Sequence, residues 1–192
     1  IVSEKDKGIF DAINKGIQRC SGDIVSIIHS DDFFYNDKVL DVVNKNFTEN
    51  DDLECLIGTT LIKRKNSNFT VRKYNSLFFK KWMIYLGFTP PHPSTFIKKK
   101  VYDKIGFYKT NYEIASDFDF FLRMFLKNQI IYKIINQNLV IMSMGGKSTK
   151  SIKSNFISNK EILRSFKENN IYSNLLFILL RFPIKLIQFI LR

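Results

Sequence analysis

The chain has 192 residues, which is enough for one domain with a substantial core. Hydrophobic residues make up 45% and charged residues 25%, a balance typical of a folded protein and not of a disordered one. The formal net charge of +12 favours an anionic partner such as nucleic acid, acidic lipid or a phosphorylated small molecule. The two cysteines, Cys20 and Cys55, lack the spacing of a metal or redox site and are predicted to be reduced thiols.

The first predicted elements are a helix, a strand and a second helix. Apolar residues three and four apart predict a helix over Ile9–Arg19. The β-branched, nearly continuous apolar run Ile24–Ile28 is typical of a parallel strand buried on both faces. Asn36 is a suitable N-cap for a helix from Asp37 to Phe47.

An acidic pair, Asp31 and Asp32, follows the predicted strand. Open α/β sheets bind ligands at the carboxyl ends of their strands, so the position suits a site. Two adjacent carboxylates repel one another unless a cation or hydrogen bonds compensate, and hard divalent cations accept such oxygen ligands. The alternative is a solvated turn, because paired acids are common in turns.

The middle of the chain combines strands with short helices. Leu53–Lys63 and Phe69–Tyr74 are predicted to be strands of a hairpin, and Leu77–Leu86 a short amphipathic helix. Three prolines within residues 90–93 exclude regular structure there. The remaining predicted elements are the strand Thr95–Ile97, the helix Lys99–Ile105 closed by Gly106, the helix Asp117–Lys127 capped by Ser116, and the strands Ile130–Ile135 and Leu139–Ser143.

The C-terminal part is helical, basic and finally apolar. From Lys147 to Arg192 there are nine Lys or Arg residues against two Glu residues. Polar residues interrupt the apolar run Leu175–Leu191, so it is a poor membrane-spanning helix. The pattern predicts either an interfacial helix on anionic lipid or a terminal helix packed on the domain. We place the boundary between a main domain, residues 1–150, and this tail, residues 151–192.

Several ordered motifs resemble the family 2 glycosyltransferases of GT-A fold, and the bacterial branch that builds surface polysaccharides in particular. The segments that carry the resemblance are Ser3–Ile17, Ser21–Ile24, Ser30–Asp32, His92–Phe96, Ala115–Asp119 and Gly145–Ser148. The resemblance implies an α/β fold with a Rossmann-like mixed sheet flanked by helices. The strand and helix that begin the family domain would be missing here, so residues 1–150 would form a partial domain.

The resemblance also implies a metal-dependent sugar transfer. Asp32 would contact Mg²⁺ or Mn²⁺ directly, and Asp31 would lie near the ribose or a metal-bound water. His29 stands where the family more usually has Asn or Asp. Asp117 aligns with the catalytic base, which would take a proton from the acceptor hydroxyl and give inversion in a single displacement. The alternative for Asp117 is a carboxylate stabilised at a helix N-terminus.

The remaining candidate residues have secondary roles in the resemblance. His92 would orient the acceptor or contact a phosphate, with a purely structural histidine as the alternative. The other candidates for donor or acceptor binding are Asp6, Asn14, Asp119, Lys147 and Ser148. Among these, Asn14 is expected to hold the first helix, Asp119 is the second choice of base, and the glycine loop carrying Lys147 would close on the diphosphate.

The sequence therefore predicts an inverting glycosyltransferase at the cytoplasmic face of the membrane. It would move a sugar from a nucleotide-sugar donor to a glycan or lipid-linked acceptor. The alternative is a non-catalytic membrane-surface or assembly module derived from such an enzyme. Nucleic-acid binding is not expected, because the charge is unaccompanied by a recognised binding motif.

Overall fold

A mixed sheet is the centre of the computed structural model, which describes residues 3–64, 69–144 and 152–183. Its strands are β1 Ile24–Val25, β2 Phe33–Phe34, β3 Cys55–Lys63, β4 Thr70–Tyr74, β5 Thr95–Lys98 and β6 Tyr132–Ser143. The helices are α1 Ile9–Arg19, α2 Val39–Thr48, α3 Lys99–Ile105, α4 Ser116–Leu122, α5 Ile152–Glu168 and α6 Leu175–Leu179. Short 3₁₀ segments cover Ser76–Phe78, Lys81–Leu86 and His92–Ser94, and a π-helical turn, Arg123–Lys127, continues α4.

Strand β3 organises the sheet, whose order is β1-β5-β3-β6-β2. It runs parallel to β6 along one edge. Along the other edge its first half pairs antiparallel with β5 and its second half antiparallel with β4. Its first six residues are all buried, as expected of a central strand covered on both faces.

Two hydrophobic cores lie on the opposite faces of the sheet. Ile57 of β3 belongs to the larger core, which also contains Phe10 of α1, Phe121 of α4 and Phe166 of α5. Leu56, its neighbour, belongs to the smaller core beneath α2. Successive strand residues point to opposite faces, which explains this division. Because α5 contributes to the larger core, it is packed into the same body as the sheet; the predicted boundary at residue 150 stays a prediction.

Several predicted elements agree with the structure. Helix α1 has the predicted bounds, and α3 ends at Gly106, whose φ of 82° explains the glycine there. The predicted hairpin is the β3–β4 pair. Helix α2 begins at Val39, and Asn36 accepts a hydrogen bond from the Lys38 amide instead of capping the first turn directly.

The predicted strand Ile24–Ile28 is wrong in length and pairing. Only Ile24 and Val25 form a strand, and they pair antiparallel with β5 at the end of the sheet. The apolar run continues beyond the strand because its side chains still pack: Ile27 contacts the larger core and Ile28 the smaller one. Burial alone therefore produced a strand-like pattern in a segment that leaves the sheet.

Three further differences have local causes. The predicted helix Leu77–Leu86 is two 3₁₀ segments, because Phe79 and Lys80 between them have extended backbone. The two strands predicted in residues 130–143 form one irregular strand, β6. Ser116 lies inside α4, and its hydroxyl donates to the Lys109 carbonyl at 2.7 Å instead of capping the helix.

The fully buried carboxylate of Asp119 joins α4 to its neighbours. One oxygen, Oδ1, accepts hydrogen bonds from Lys109 Nζ at 2.9 Å and from Ser165 and Asn169 of α5 at 3.0 Å each. The other, Oδ2, accepts from Arg123 Nε at 2.8 Å. A buried charge is tolerated only with such partners, so this cluster fixes α4 against α5 and the preceding loop.

We predict that Asp119→Asn lowers the free energy of unfolding by about 3 kcal/mol, because Arg123 loses the opposing charge in a buried setting. Urea unfolding followed by circular dichroism measures the change. In the matched control, Glu49→Gln, the exposed pair with Lys45 is lost and the effect stays below about 1 kcal/mol. Equal effects of the two substitutions would contradict the structural role of Asp119.

Candidate active site

The acidic pair lies in a tight turn held to the end of the sheet. The Asp32 amide donates to the His29 carbonyl at 2.9 Å, which closes the turn. The Asp31 carbonyl accepts from the Ser143 hydroxyl at the end of β6, also at 2.9 Å. The turn leads directly into β2, which pairs with β6. Two attachments to β6 therefore fix where the carboxylates stand.

The two carboxylates of the turn have different environments. Asp31 is exposed, whereas Asp32 is half-buried and its Oδ2 atom is buried without a hydrogen-bond partner within the described ranges. Burial raises the pKa of Asp32, and the nearby His29 opposes that rise. An unsatisfied buried carboxylate oxygen is costly, and a cation would satisfy it.

The residues present fit a hard divalent cation that is shared with a ligand. Across the described ranges, no group of three or more His, Cys, Asp or Glu side chains could hold a metal. Mg²⁺ typically uses one or two protein carboxylates and takes its other ligands from water and substrate phosphates. Asp32, with Asp31 beside it, matches that smaller set.

His29 connects the acidic turn to His92. The two imidazole rings lie with their centroids 6.3 Å apart. His92 in turn exchanges a hydrogen bond of 2.8 Å with the Tyr108 hydroxyl and packs edge-on against Phe121. Burial lowers the pKa of His92 to about 3, so the ring is neutral at physiological pH. A neutral His92 can donate or accept a hydrogen bond but brings no charge to a phosphate.

Asp117 lies in the first turn of α4. Its Oδ1 accepts a hydrogen bond from the Phe118 amide at 2.7 Å. Burial raises the pKa of Asp117 to about 6, and the Glu161 carboxylate contributes to that rise. A carboxylate with such a pKa is ionised near neutral pH yet basic enough to accept a proton, which suits a general base.

Glu161 of α5 supplies the cap that precedes α4. Its carboxylate accepts hydrogen bonds from the backbone amides of Glu113, Ile114 and Ala115, at 2.6, 2.9 and 2.8 Å. These amides lie directly before α4, and Ala115 is its N-cap residue. Glu161 therefore fixes the backbone that presents Asp117 and also adds negative charge near it.

Two tyrosines interact electrostatically with Asp117. Burial chiefly raises the pKa of Tyr108, and the charge of Asp117 acts in the same direction. Burial likewise raises the pKa of Tyr74 to about 12, again with a contribution from Asp117. Tyr108 is the hydrogen-bond partner of His92. A ring contact and a hydrogen bond thus join His29, His92 and Tyr108. Electrostatic interactions link this cluster to Asp32 through His29 and to Asp117 through Tyr108.

A cleft adjoins Tyr74. Its lining combines two basic residues with apolar, aromatic and a few uncharged polar ones. The residues that characterise it are Arg72, Tyr74, Phe78, Met83, Phe88 and Pro91. The Tyr74 hydroxyl donates to the Thr89 carbonyl at 2.7 Å and so joins two walls of the cleft. Such a lining suits a molecule with both an apolar and an anionic part.

Other predicted site residues have structural partners. Asn14 makes two hydrogen bonds to the backbone of Tyr108, at 2.8 and 3.0 Å, and so ties α1 to the His92 cluster. Asp6 is exposed and forms an ion pair with Lys15 at 2.9 Å. Asp119 was expected to contact donor or acceptor, but its buried carboxylate is satisfied by protein groups and does not reach the cleft. Lys147 and Ser148 lie outside the described residues.

Sequence reasoning missed Tyr74, Tyr108 and Glu161. Tyr108 lies in a loop and Tyr74 at the end of a strand, and neither belongs to a recognisable motif. Glu161 lies on an amphipathic helix where an acidic residue ordinarily faces solvent. Only contacts between residues more than 40 positions apart reveal its role.

Comparison with known proteins identifies the family of this chain. The sequence model of Glycosyl transferase family 2 matches residues 1–126. Over 165 residues the chain is 24% identical to proteins named PGL/p-HBAD biosynthesis glycosyltransferase in Mycobacterium tuberculosis and Mycobacterium bovis. That alignment covers 84% of this chain and 59% of the relatives, so the chain spans somewhat over half of their length.

Solved structures give the fold. The crystal structure of S. aureus TarS residues 1–349 matches with a TM-score of 0.57 and 16% identity, over 83% of this chain and 45% of that chain. Its complex with UDP-GlcNAc matches with a TM-score of 0.60 and 15% identity, over 86% and 48% of the two chains. The likeness confirms the predicted GT-A fold. With the family model matching well over half of its length, the chain belongs to glycosyl transferase family 2, as its motifs predict.

Proposed function

We propose that this chain carries the catalytic centre of an inverting glycosyltransferase that uses a nucleotide-sugar donor. Two carboxylates support the proposal most strongly: Asp32, one of whose oxygens is buried without a partner among the described residues, and Asp117, whose pKa is raised to about 6. The His29–His92–Tyr108 cluster interacts electrostatically with both of them. A cation-binding carboxylate and a general base are the two groups that the reaction needs, one for the leaving diphosphate and one for the incoming hydroxyl.

Asp117 would act on the acceptor. Its carboxylate takes the hydroxyl proton as the acceptor oxygen attacks the anomeric carbon, and the bond from that carbon to the diphosphate oxygen breaks on the opposite side. One displacement of this kind inverts the anomeric configuration. A positioned general base contributes on the order of 10²–10⁴-fold to the rate.

Asp32 and Asp31 would hold the cation at the donor. Bound Mg²⁺ or Mn²⁺ supplies charge stabilisation for the departing diphosphate, worth about several kcal/mol. The protein's own contribution is to hold the turn that carries both carboxylates. The hydrogen bond from the Asp32 amide to the His29 carbonyl and the one from the Ser143 hydroxyl to the Asp31 carbonyl do this. His92 is proposed to position Tyr108 and the acceptor side of the site as a neutral hydrogen-bonding group.

The site and the similar proteins support a proposal for the donor and acceptor classes. TarS, whose structures include complexes with UDP and UDP-GlcNAc, supports a nucleotide sugar as the donor. The apolar and basic cleft beside Tyr74 favours a lipid-linked or anionic glycan acceptor. We therefore propose a role in bacterial cell-surface glycan synthesis at the cytoplasmic face of the membrane.

The first test removes the base. Asp117→Asn should lower sugar transfer to an acceptor by a factor on the order of 10²–10⁴ and leave the affinity for UDP-GlcNAc or another bound donor within about twofold. The matched control Asp103→Asn, at an exposed position of α3, should retain full activity. Transfer by Asp117→Asn at the wild-type rate would contradict the assignment.

The second test is the pH dependence of transfer. Because Asp117 must be ionised to accept a proton, kcat/KM should rise tenfold per pH unit up to about pH 6 and then level off. Glu161→Gln removes a negative charge that raises the pKa of Asp117, so the rise should shift to lower pH. Glu113→Gln, an exposed change in the same loop, should leave the profile where it is. A wild-type profile that is flat down to pH 4 would refute this role.

The third test concerns the cation. In Asp32→Asn the affinity for a nucleoside diphosphate should no longer depend on Mn²⁺, whereas Asp37→Asn, an exposed change nearby, should preserve the dependence. Calorimetric titration with and without Mn²⁺ measures both. If Mn²⁺ strengthens nucleotide binding equally in all three proteins, the metal is not held by Asp32.

A further inference from the structure

Two neighbouring segments expose an unusual amount of apolar side chain. In the 3₁₀ segments, Phe78 and Trp82 are 62% and 59% exposed. Around α6, Tyr172 and Leu176 are 77% and 73% exposed. Exposed large apolar residues also include Leu77, Tyr85, Leu175, Phe177, Leu179, Leu180 and Phe182. Single exposed apolar residues are ordinary on a protein surface, but a contiguous group of them marks an interaction site.

The two segments pack against each other, so their exposed residues form one apolar surface, residues 77–85 and 172–182. The Ser173 hydroxyl donates to the Tyr85 carbonyl at 3.3 Å. Arg181 donates to the Gly87 carbonyl at 3.2 Å and to Asn159 of α5 at 2.7 Å. Ile178 is fully buried in the larger core. The surface is thus fixed to the domain.

The two segments that form the apolar surface carry positive charges and no Asp or Glu. No Asp or Glu occurs between Glu54 and Asp103, a stretch with ten Lys or Arg residues, and none follows Glu168. Lys80 and Lys81 stand within the surface itself, next to Trp82, and Lys73 is exposed nearby. The partner must therefore be apolar and carry negative charge at its boundary.

We propose that the apolar surface docks on an anionic lipid bilayer, with Trp82 and the α6 residues inserted at the level of the headgroups and Lys80 and Lys81 against lipid phosphates. A second copy of the chain is a poorer partner, because a symmetric contact would bring lysines of the same surface together. The contact would be peripheral: among the described residues no helix is long and apolar enough to cross a bilayer.

This inference rests on the membrane location in the proposed function and names the surface that would bind the lipid, but it does not depend on sugar transfer. The cleft beside Tyr74 lies in the same stretch of chain, since Phe78 and Met83 belong both to its lining and to the 3₁₀ segments. A docked protein would therefore present the acceptor side of its site close to the lipid. Vesicle binding can be measured without donor, acceptor or metal, so its failure and the failure of the catalytic proposal are separate results.

The test is co-sedimentation of the full chain with vesicles of phosphatidylcholine alone and of phosphatidylcholine with one third phosphatidylglycerol. We expect binding to the anionic vesicles that is on the order of tenfold stronger than to the neutral ones and that weakens with salt. The double variant Trp82→Ser with Leu176→Ser, and separately Lys80→Gln with Lys81→Gln, should each lower anionic-vesicle binding by a factor on the order of ten.

The matched control is Leu40→Ser, which removes a side chain that is 56% exposed on α2, outside the apolar surface, and should leave binding unchanged. Thermal unfolding of each variant checks that it is folded. The proposal would be overturned if the wild type bound both kinds of vesicle equally weakly. It would also be overturned if Leu40→Ser and the double variant lost the same amount of anionic-vesicle binding. If sedimentation velocity shows a dimer that the double variant dissociates, and the wild type does not bind vesicles, the apolar surface would instead bind a second copy of the chain.

Discussion

The carboxylate of Asp119 is the interaction on which the candidate site depends. It is completely buried, and its two oxygens bind groups from the loop before α4, from the turn after α4 and from α5. Removing such a charge from water is costly, so the arrangement is stable only when all of these partners stay in place. Asp117 is two residues away in the same helix. The cost of disturbing Asp119 therefore keeps Asp117 where it is, and Glu161 reinforces this by binding the amides that begin the helix.

The other half of the site is built differently, from a turn at the sheet end. Within the part of the chain that the structure describes, one oxygen of Asp32 is buried and has no hydrogen-bond partner. The two halves meet at His92, which is near His29 on one side and is hydrogen-bonded to Tyr108 on the other. One carboxylate is thus left in need of a cation and the other is left basic. Similar side chains acquire different chemistry from their surroundings, which is what an acid–base and metal-assisted reaction requires.

The sequence predicted what depends on local pattern and missed what depends on distant contacts. The bounds of α1 and the hairpin of β3 and β4 follow from periodicity and turn residues. The prediction of a strand over Ile24–Ile28 is wrong because a segment buried between two cores has the same apolar pattern as a buried strand. Motifs predict Asp32 and Asp117 as site residues, whereas the bonds from Glu161 to the backbone before α4 span up to 48 positions, which no local pattern records.

We propose that Asp32 and Asp117 face one donor and one acceptor in the same site. The most direct measurement is a crystal structure of the protein with Mn²⁺ and a nucleoside diphosphate, with the metal located by its anomalous signal. We expect Mn²⁺ bound to the Asp32 carboxylate and to the diphosphate, with open space for a sugar between the diphosphate and Asp117. Mn²⁺ and nucleotide bound elsewhere, or protein side chains filling the space between these two carboxylates, would contradict it.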